Sequence, residues 1–507
     1  MNLTDGGWHR LHPASPLLKG GIALLAILGV VIANLRERLF ELVAPQIPEQ
    51  GDPLDYVLSH GYIGYALLAV ATLLIVLVIG FYLSWRMHTF RITEEVVEVR
   101  SGILFRTNRK ARLDRIQGIN IVRPFFARLF GAAKLEISQA GQDANVQLSY
   151  LGSGSADELR REILRLASGT HAPAAPPRTT PIGQMTLDRR VEEFFAPELD
   201  RELAPPESVV SLNVGRLAGS LVFSGGTVFL VLLVIGGVVW ITTTGSFYAL
   251  FLALPSLIGF GSYYLSKVTR SLRYTIAGTP DGVRIGYGLL STTSETLPPG
   301  RIHAVEVSQP LLWRPAGWWQ IRVNRASHSS TRGAAGQANT TILPVGNIRD
   351  VKKVLQLVLP DLIGPEFAGP DELDALVGTG LSRTGRVGDG FVNSPRRAAW
   401  LRPFSWRRNG FAIVPGALLV RKGAIWREFA IVPQPRLQSV SVRQGPILRM
   451  LRLAAVDLHT VTGPIYADLG AIDADAALAF FSDAATAAVR AAKIDTSHRW
   501  RSGETAP

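Results

Sequence analysis

Arg115-Ile-Gln-Gly-Ile-Asn-Ile121, Arg301-Ile-His-Ala-Val-Glu-Val307 and Arg436-Leu-Gln-Ser-Val-Ser-Val442 are three versions of one heptapeptide. Working outward, a glycine stands thirteen residues before each leading arginine: Gly102, Gly288 and Gly423. A second arginine stands thirteen residues after it: Arg128, Arg314 and Arg449. Each copy then enters an alternating run, Leu135-Glu136-Ile137, Ile321-Arg322-Val323 or Val456-Asp457-Leu458. Constant offsets on both sides, three times over, identify a repeated domain.

Each copy reads as β-structure first and helix last. Val97-x-Val99, Val283-x-Ile285 and Leu418-x-Val420 alternate with period two and stop just before the repeat glycine. That glycine is expected to turn a hairpin, using the positive φ open to a residue without Cβ. The arginine heptapeptide begins a further strand. The closing helix is Asp157 to Leu164 in copy one, with Ser155 as its expected cap, Asn347 to Leu355 in copy two, and the Ala-rich Asp473 to Val489 in copy three. Several strands closed by one C-terminal helix describe a small barrel plugged at one end.

The 507 residues are 47% hydrophobic and only 18% charged, with a mean hydropathy of +0.20, which predicts membrane-embedded segments. With no cysteine, disulfide frameworks, thiolate nucleophiles, iron–sulfur clusters and cysteine zinc sites are excluded. A net charge of +13 implies acidic partners, either anionic lipid headgroups or nucleic acid. The membrane segments favour lipid.

No charged residue lies between Arg216 and Lys267. One helix of that length would reach about 75 Å, against a hydrocarbon core of about 30 Å. The small polar run Thr242 to Ser246 suits a turn, so two spans are expected, about 217–241 and 247–266. An earlier pair is expected at about 17–35 and 61–85, with Lys19 snorkelling. The first of these ends in Arg36-Glu37-Arg38 without a small-residue cleavage site, which favours a retained helix over a signal peptide. The loop from Arg36 to His60 is acidic, whereas Arg86 to Arg115, Arg216 and Lys267 to Arg273 are basic. The positive-inside rule then puts both termini and all three domains on the cytoplasmic side of the cell membrane.

The resulting order is a first segment with its hairpin (1–85), copy one (86–168), a linker (169–215), a second hairpin (216–267), copy two (268–362), a Gly-rich connection (363–395), copy three (396–490) and a tail (491–507). Thr89-Phe-Arg-Ile-Thr93, Gly102-Ile-Leu104, Arg115-Ile-Gln117 and Phe130-Gly131, with Phe411-Ala-Ile413, Gly423-Ala-Ile425 and Arg436-Leu-Gln438, resemble the bacterial pleckstrin-homology-like domain. The whole arrangement resembles the YdbT type of multi-pass membrane protein. Copy two departs: Gly278-Thr279-Pro280 is expected to lengthen its first hairpin by two residues, and Trp318-Trp319 follow Gly317. The resemblance implies a fold and a location, and no reaction.

In eukaryotic pleckstrin-homology domains, basic residues of the first hairpin hold phosphoinositide phosphates, so the resemblance directs attention there. Copy one offers Arg106, Arg109, Lys110 and Arg112, and copy three offers Arg421, Lys422 and Arg427. Copy two has only Ser291 to Glu295. These seven basic residues are the candidate lipid-binding set. They form either a phosphate pocket or a solvated face attracted to anionic lipid by about 1 kcal/mol per residue. The repeat arginines Arg115, Arg301 and Arg436 are expected to be structural.

Other constellations carry less. His9 and His12 beside Trp8 suit interfacial anchoring better than metal binding. Gly378, Gly380 and Gly385 lack the Lys-Ser/Thr ending of a phosphate loop and read as a flexible connection. Gly215-x-x-x-Gly219, Gly225-Gly226 and Gly236-Gly237 suggest close helix packing in lipid. No nucleophile–His–Asp order or HExxH is present. The sequence therefore predicts a non-enzymatic scaffold integral to the membrane, with anionic lipids or other proteins as partners, and no cofactor, metal or nucleic acid. The alternative is a transport, envelope-defence or antimicrobial-resistance component with regulatory domains. The lack of ionisable residues inside the uncharged runs disfavours transport.

Overall fold

The structure, a computed structural model, describes residues 6–12, 15, 18, 63–102, 106–139, 145–168, 210–245, 248–279, 282–289, 291–298, 300–325, 340–359, 370–385 and 388–495. The first expected span (17–35) apart from Leu18, most of the linker 169–215 and the end of the tail lie outside the described residues.

Copy one begins with β1 (His9–Arg10), followed by helix α1 (Ile63–Arg86). Strands β2 (Thr89–Ile92), β3 (Val96–Ser101) and β4 (Thr107–Arg112) complete an antiparallel sheet in the order β1-β2-β3-β4. Then come β5 (Ile116–Arg123), the short helix α2 (Phe125–Leu129), β6 (Ala132–Gln139), β7 (Val146–Gly152) and the closing helix α3 (Ser153–Ser168). The chain divides into two compact units, the first comprising 1–113, 123–136 and 146–166. In that unit β7 packs on β3 and β4, and Phe90, Ile92, Val97, Leu148, Leu159 and Ile163 are buried.

The second unit holds copies two and three and takes in residues 114–122 of β5. Copy two comprises β8 (Val210–Ser211), α4 (Val214–Val222), α5 (Gly225–Thr244), α6 (Tyr248–Ser271), β9 (Thr275–Thr279), β10 (Gly282–Tyr287), β11 (Thr292–Leu297), β12 (Ile302–Gln309), β13 (Trp319–Arg325), β14 (Thr341–Gly346) and α7 (Ile348–Val358). Copy three comprises α8 (Pro370–Gly380), β15 (Val392–Asn393), β16 (Gly410–Val414), β17 (Ala417–Lys422), β18 (Arg427–Pro433), β19 (Ser439–Arg443), α9 (Pro446–Met450), β20 (Leu453–His459), β21 (Ala467–Asp473) and α10 (Ala474–Ile494).

Each module is thus a four-stranded sheet, a three-stranded sheet and a closing helix. The sheets do not stop at module boundaries. One runs β14-β13-β12-β18-β17-β16-β15, with Val305 opposite Ile431 and Val307 opposite Phe429 across the junction of copies two and three. At the preceding junction β5 lies beside β11, where the Cβ position of Gly118 is 3.4 Å from the Thr296 carbonyl oxygen. Pairing edge to edge satisfies the backbone groups that an isolated sheet edge would leave open.

The repeat glycines turn as expected, with φ of +108° at Gly102, +109° at Gly288 and +79° at Gly423. A Cβ would stand 2.0 Å from the Ser291 carbonyl oxygen at Gly288, and 1.9 Å from that of Trp426 at Gly423. The expected insertion in copy two is absent. Strands β2, β9 and β16 all start thirteen residues before the glycine, and β3, β10 and β17 all start six before it. Copy two keeps the spacing by pairing Thr279 with Gly282, as copy three pairs Val414 with Ala417, and Gly282 has a φ of +121° that a side chain would resist.

Among the described residues one helix, α5, is long and apolar enough to cross a membrane. Its 20 residues extend about 30 Å. Ser224 caps its start, and Gly245, at φ +66°, ends it. Helices α1 and α6 lie at the second and fourth expected spans. The helix at the third expected span starts at 225 and not at 217 as expected. Its first residues form the separate helix α4, whose Leu217 packs on Trp313 and Val345 of copy two. The chain breaks at Phe223–Ser224 because the Trp313 indole donates to the carbonyls of Ser220 (3.2 Å) and Phe223 (3.0 Å).

Gly219 accordingly faces protein and not a lipid-embedded helix. A Cβ there would lie 2.5 Å from the Trp318 ring. Gly226 approaches the Tyr264 hydroxyl, while Gly236 and Gly237 meet nothing within 4 Å. The Gly-rich connection is also built into copy three: α8 and β15 fall within it, and Val377, Leu381 and Phe391 are buried. Gly380 lies against the Phe429 ring, 2.4 Å from where its Cβ would be. Its glycine provides close packing and not slack.

Candidate interaction surfaces

The first hairpin has a different fate in each copy. In copy one, β4 ends its sheet, and Arg106, Arg109, Lys110 and Arg112 are all exposed. Lys110 meets Glu98 at 2.6 Å, and Arg91 reaches the same carboxylate at 2.9 Å. The Lys110 hydrogen bond, ahead of the opposing cost of burial, holds the Glu98 carboxyl below the usual range. Nearby, the Arg100 and Arg91 guanidiniums lie 4.0 Å and 4.9 Å from the Trp8 ring centroid. Trp8 is thereby held against the barrel, and His9 belongs to β1 opposite Phe90.

In copy two the hairpin strand β11 is buried, with Ser294 and Glu295 enclosed and Glu295 paired to Arg325. In copy three the basic residues are occupied internally. Arg421 is completely buried: its guanidinium donates to Asp389 (2.7 Å), Asn393 (2.6 Å) and the Thr379 carbonyl (3.1 Å), over the Phe391 ring. Lys422 pairs with Asp468 and, at 3.5 Å, with Glu428. Arg427 donates to Gln309 of copy two at 3.1 Å.

Arg408, which the motifs do not single out, is 2% exposed and meets only carbonyls: Ser382 (3.0 Å), Glu428 (3.0 Å), Gly380 (2.9 Å) and Lys422. Burial foremost, with repulsion from Arg427 and Arg421, lowers its pKa to about 9. No spacing rule would find it, because its partners are backbone oxygens.

The repeat arginines do not converge. Arg436 meets Asp495, at the end of α10, at 3.1 Å, tying the closing helix to its barrel. Arg301 is half-buried and Arg115 exposed. His303, near Arg301 and Arg436, has its pKa lowered to about 4, by burial first and then by those two cations. The arginine thirteen residues further on latches modules together in copy two, where Arg314 donates to the carbonyls of Ala424 and Ile425 (3.0 Å to the latter) in copy three's hairpin turn.

A cleft of ≈ 540 Å³ at that junction mixes Glu306, Arg322, Lys422, Arg443, Asp457 and Asp468. Most of these charges are paired, Arg322 to Glu306 at 2.5 Å and Arg443 to Asp457 at 2.7 Å. Burial raises the Glu306 carboxyl above its usual range, with Arg322 opposing. Among the described residues no group of His, Asp and Glu is placed to hold a metal ion.

Two sheets closed by a helix, three times over and joined to an apolar helix, define a membrane protein built from pleckstrin-homology-like barrels. Residues 25–167, 221–360 and 390–492 match the family described as Bacterial PH domain, and the chain belongs to it. The first two matches take in α1 and α5–α6, whereas the third starts at β15. The chain is also 21% identical over 325 residues to the UPF0699 transmembrane protein YdbT of Bacillus subtilis (strain 168), covering 60% of this chain. The match spans 62% of that relative, just under two thirds of its length. The resemblance expected from the motifs is borne out.

Proposed function

We propose that this protein is a non-enzymatic scaffold, anchored by four spans with both termini cytoplasmic, whose copy-one barrel attracts anionic lipid at the inner leaflet. The observation that carries this reading is the exposure of Arg106, Arg109, Lys110 and Arg112 along and just before β4, the outer strand of a sheet whose strands β2–β4 directly follow α1. The related hairpin strand of copy three is enclosed, so copy one is where a basic hairpin is exposed to solvent. The Trp313 latch and the continuous β12–β18 sheet support a rigid connection between α5 and the second and third modules.

Two measurements test the reading. Reporter fusions at Gly51 and Thr244 should lie outside, and one after Pro507 inside; a C-terminal fusion reading outside would sink the topology. For the lipid step, the cysteine-free full chain carrying Asn108→Cys is placed in nanodiscs. A water-soluble maleimide should react more slowly in anionic than in zwitterionic lipid. Replacing the four basic residues by Gln should abolish that difference, since about 1 kcal/mol per residue is removed, less at physiological salt. Equal rates in both lipids would leave proteins as the scaffold's partners.

A further inference from the structure

The short first strand of each module occupies one slot. His9 pairs with Phe90, Val210 with Ile276 and Val392 with Phe411. Phe90, Ile276 and Phe411 each stand twelve residues before a repeat glycine. The chain between this strand and the next is therefore the same topological insertion in every copy. In copy one it contains α1; in copy two it contains α4, the membrane-length α5, and α6. In copy three it is only sixteen residues: Ser394-Pro-Arg-Arg-Ala-Ala-Trp-Leu-Arg-Pro-Phe-Ser-Trp-Arg-Arg-Asn409.

This insertion is fastened on one side and open on the other. Ala398, Arg408 and Asn409 are buried, and Arg397 donates to the Leu451 carbonyl at 2.8 Å. Facing outward are Trp400, 85% exposed, and Phe404, 79% exposed. Phe404 borders one cleft with Ile425 and Trp426 of the hairpin turn, both exposed. Arg396, Arg402 and Arg407 are exposed in the same insertion. The insertion itself, residues 394–409, holds five arginines and no acidic residue; Glu428 and Asp468 line the same cleft as Phe404.

Large aromatic rings with arginines around them suit the boundary between headgroups and acyl chains, where ring and cation each find a partner. The insertion is too short to cross: sixteen residues reach only about 24 Å as a helix, against a core of about 30 Å. We propose that copy three meets the same bilayer through this insertion, with Trp400, Phe404 and Trp426 entering an anionic lipid surface and Arg396, Arg402 and Arg407 facing its phosphates. The inference rests on the membrane-anchored reading above and adds a monotopic contact where the other copies carry apolar helices.

The test uses full-length single-cysteine variants, since the chain has no cysteine of its own. Phe404→Cys carries a nitrobenzoxadiazole label in anionic proteoliposomes. Trp240→Cys on α5 reports the spans, and Val489→Cys, exposed on α10, is the aqueous control. The label at 404 should shift to the blue, be quenched by lipids brominated near the headgroup, and resist aqueous iodide. The label at 489 should do none of these. Arg396→Gln/Arg402→Gln/Arg407→Gln should lose the excess quenching in anionic over zwitterionic vesicles. A label at 404 as open to iodide as that at 489, while 240 is quenched by lipid, overturns the docking and leaves the anchoring intact. A label shielded from both iodide and lipid means that protein covers the insertion, which also overturns it. An unquenched label at 240 sinks the anchoring and the docking together.

Discussion

Acid should loosen the second unit through His303, and the size of the effect can be worked from its surroundings. The ring is half-buried in β12, its Nδ1 has no hydrogen-bond partner, and Arg301 and Arg436 lie near. Its folded pKa of about 4 lies below the ordinary 6.5, so the unfolded chain takes up the proton first as pH falls. The stability is therefore complete above pH 6.5, drains away between 6.5 and about 4, and is flat below. That gap corresponds to roughly 3 kcal/mol, or about 2 kcal/mol after discounting for partial solvent access. For a unit of more than 300 residues the loss equals roughly 3 °C in Tm.

The assay is thermal melting of the full chain in detergent, wild type against His303→Gln, from about pH 7 to about pH 4. Glu98 and Glu306 titrate in both proteins, with opposite signs, and cancel in the comparison. Glu98, its pKa lowered, loses stabilisation as pH falls; Glu306, its pKa raised, contributes below its unfolded pKa and loses that contribution as pH rises through the folded one. The Gln variant should keep most of the Tm that wild type loses. Parallel pH curves would refute a proton-sensitive role for His303.

Three further outcomes are expected. Arg421→Met should destabilise copy three by about 3–5 kcal/mol, because the Asp389 carboxylate loses the enclosed guanidinium it faces, while the lipid-dependent labelling at copy one stays unchanged; denaturant unfolding and the maleimide assay read the two effects separately. Gly288→Val and Gly423→Val should each cost more than about 2 kcal/mol, since a β-branched residue is forced to positive φ against a carbonyl oxygen, and unchanged midpoints in both would remove the turn argument. Trp313→Phe should cost about 1–3 kcal/mol by leaving the Ser220 and Phe223 carbonyls without their donor, and it should speed limited proteolysis near Phe223; unaltered cleavage would mean that α4 is held by other contacts.

Constant offsets made the threefold repeat, the glycine turns and the closing helices legible in the sequence, because each depends on local chemistry: period-two burial, a positive φ, an amphipathic face. The same offsets said nothing about which hairpins are covered. Lys110 and Ile431 hold equivalent positions in their copies, yet β4 is exposed whereas β18 lies against β12. Arg421 looked as available as Arg109 until Asp389 and Asn393, about thirty residues upstream, closed over it. The uncharged run after Arg216 announced membrane helices but not the break at Phe223, which depends on an indole ninety residues further on. Pattern and propensity act within a turn or a strand. Burial, ion pairing and the end of a helix depend on which distant segment arrives at that surface, and only the folded chain brings those segments together.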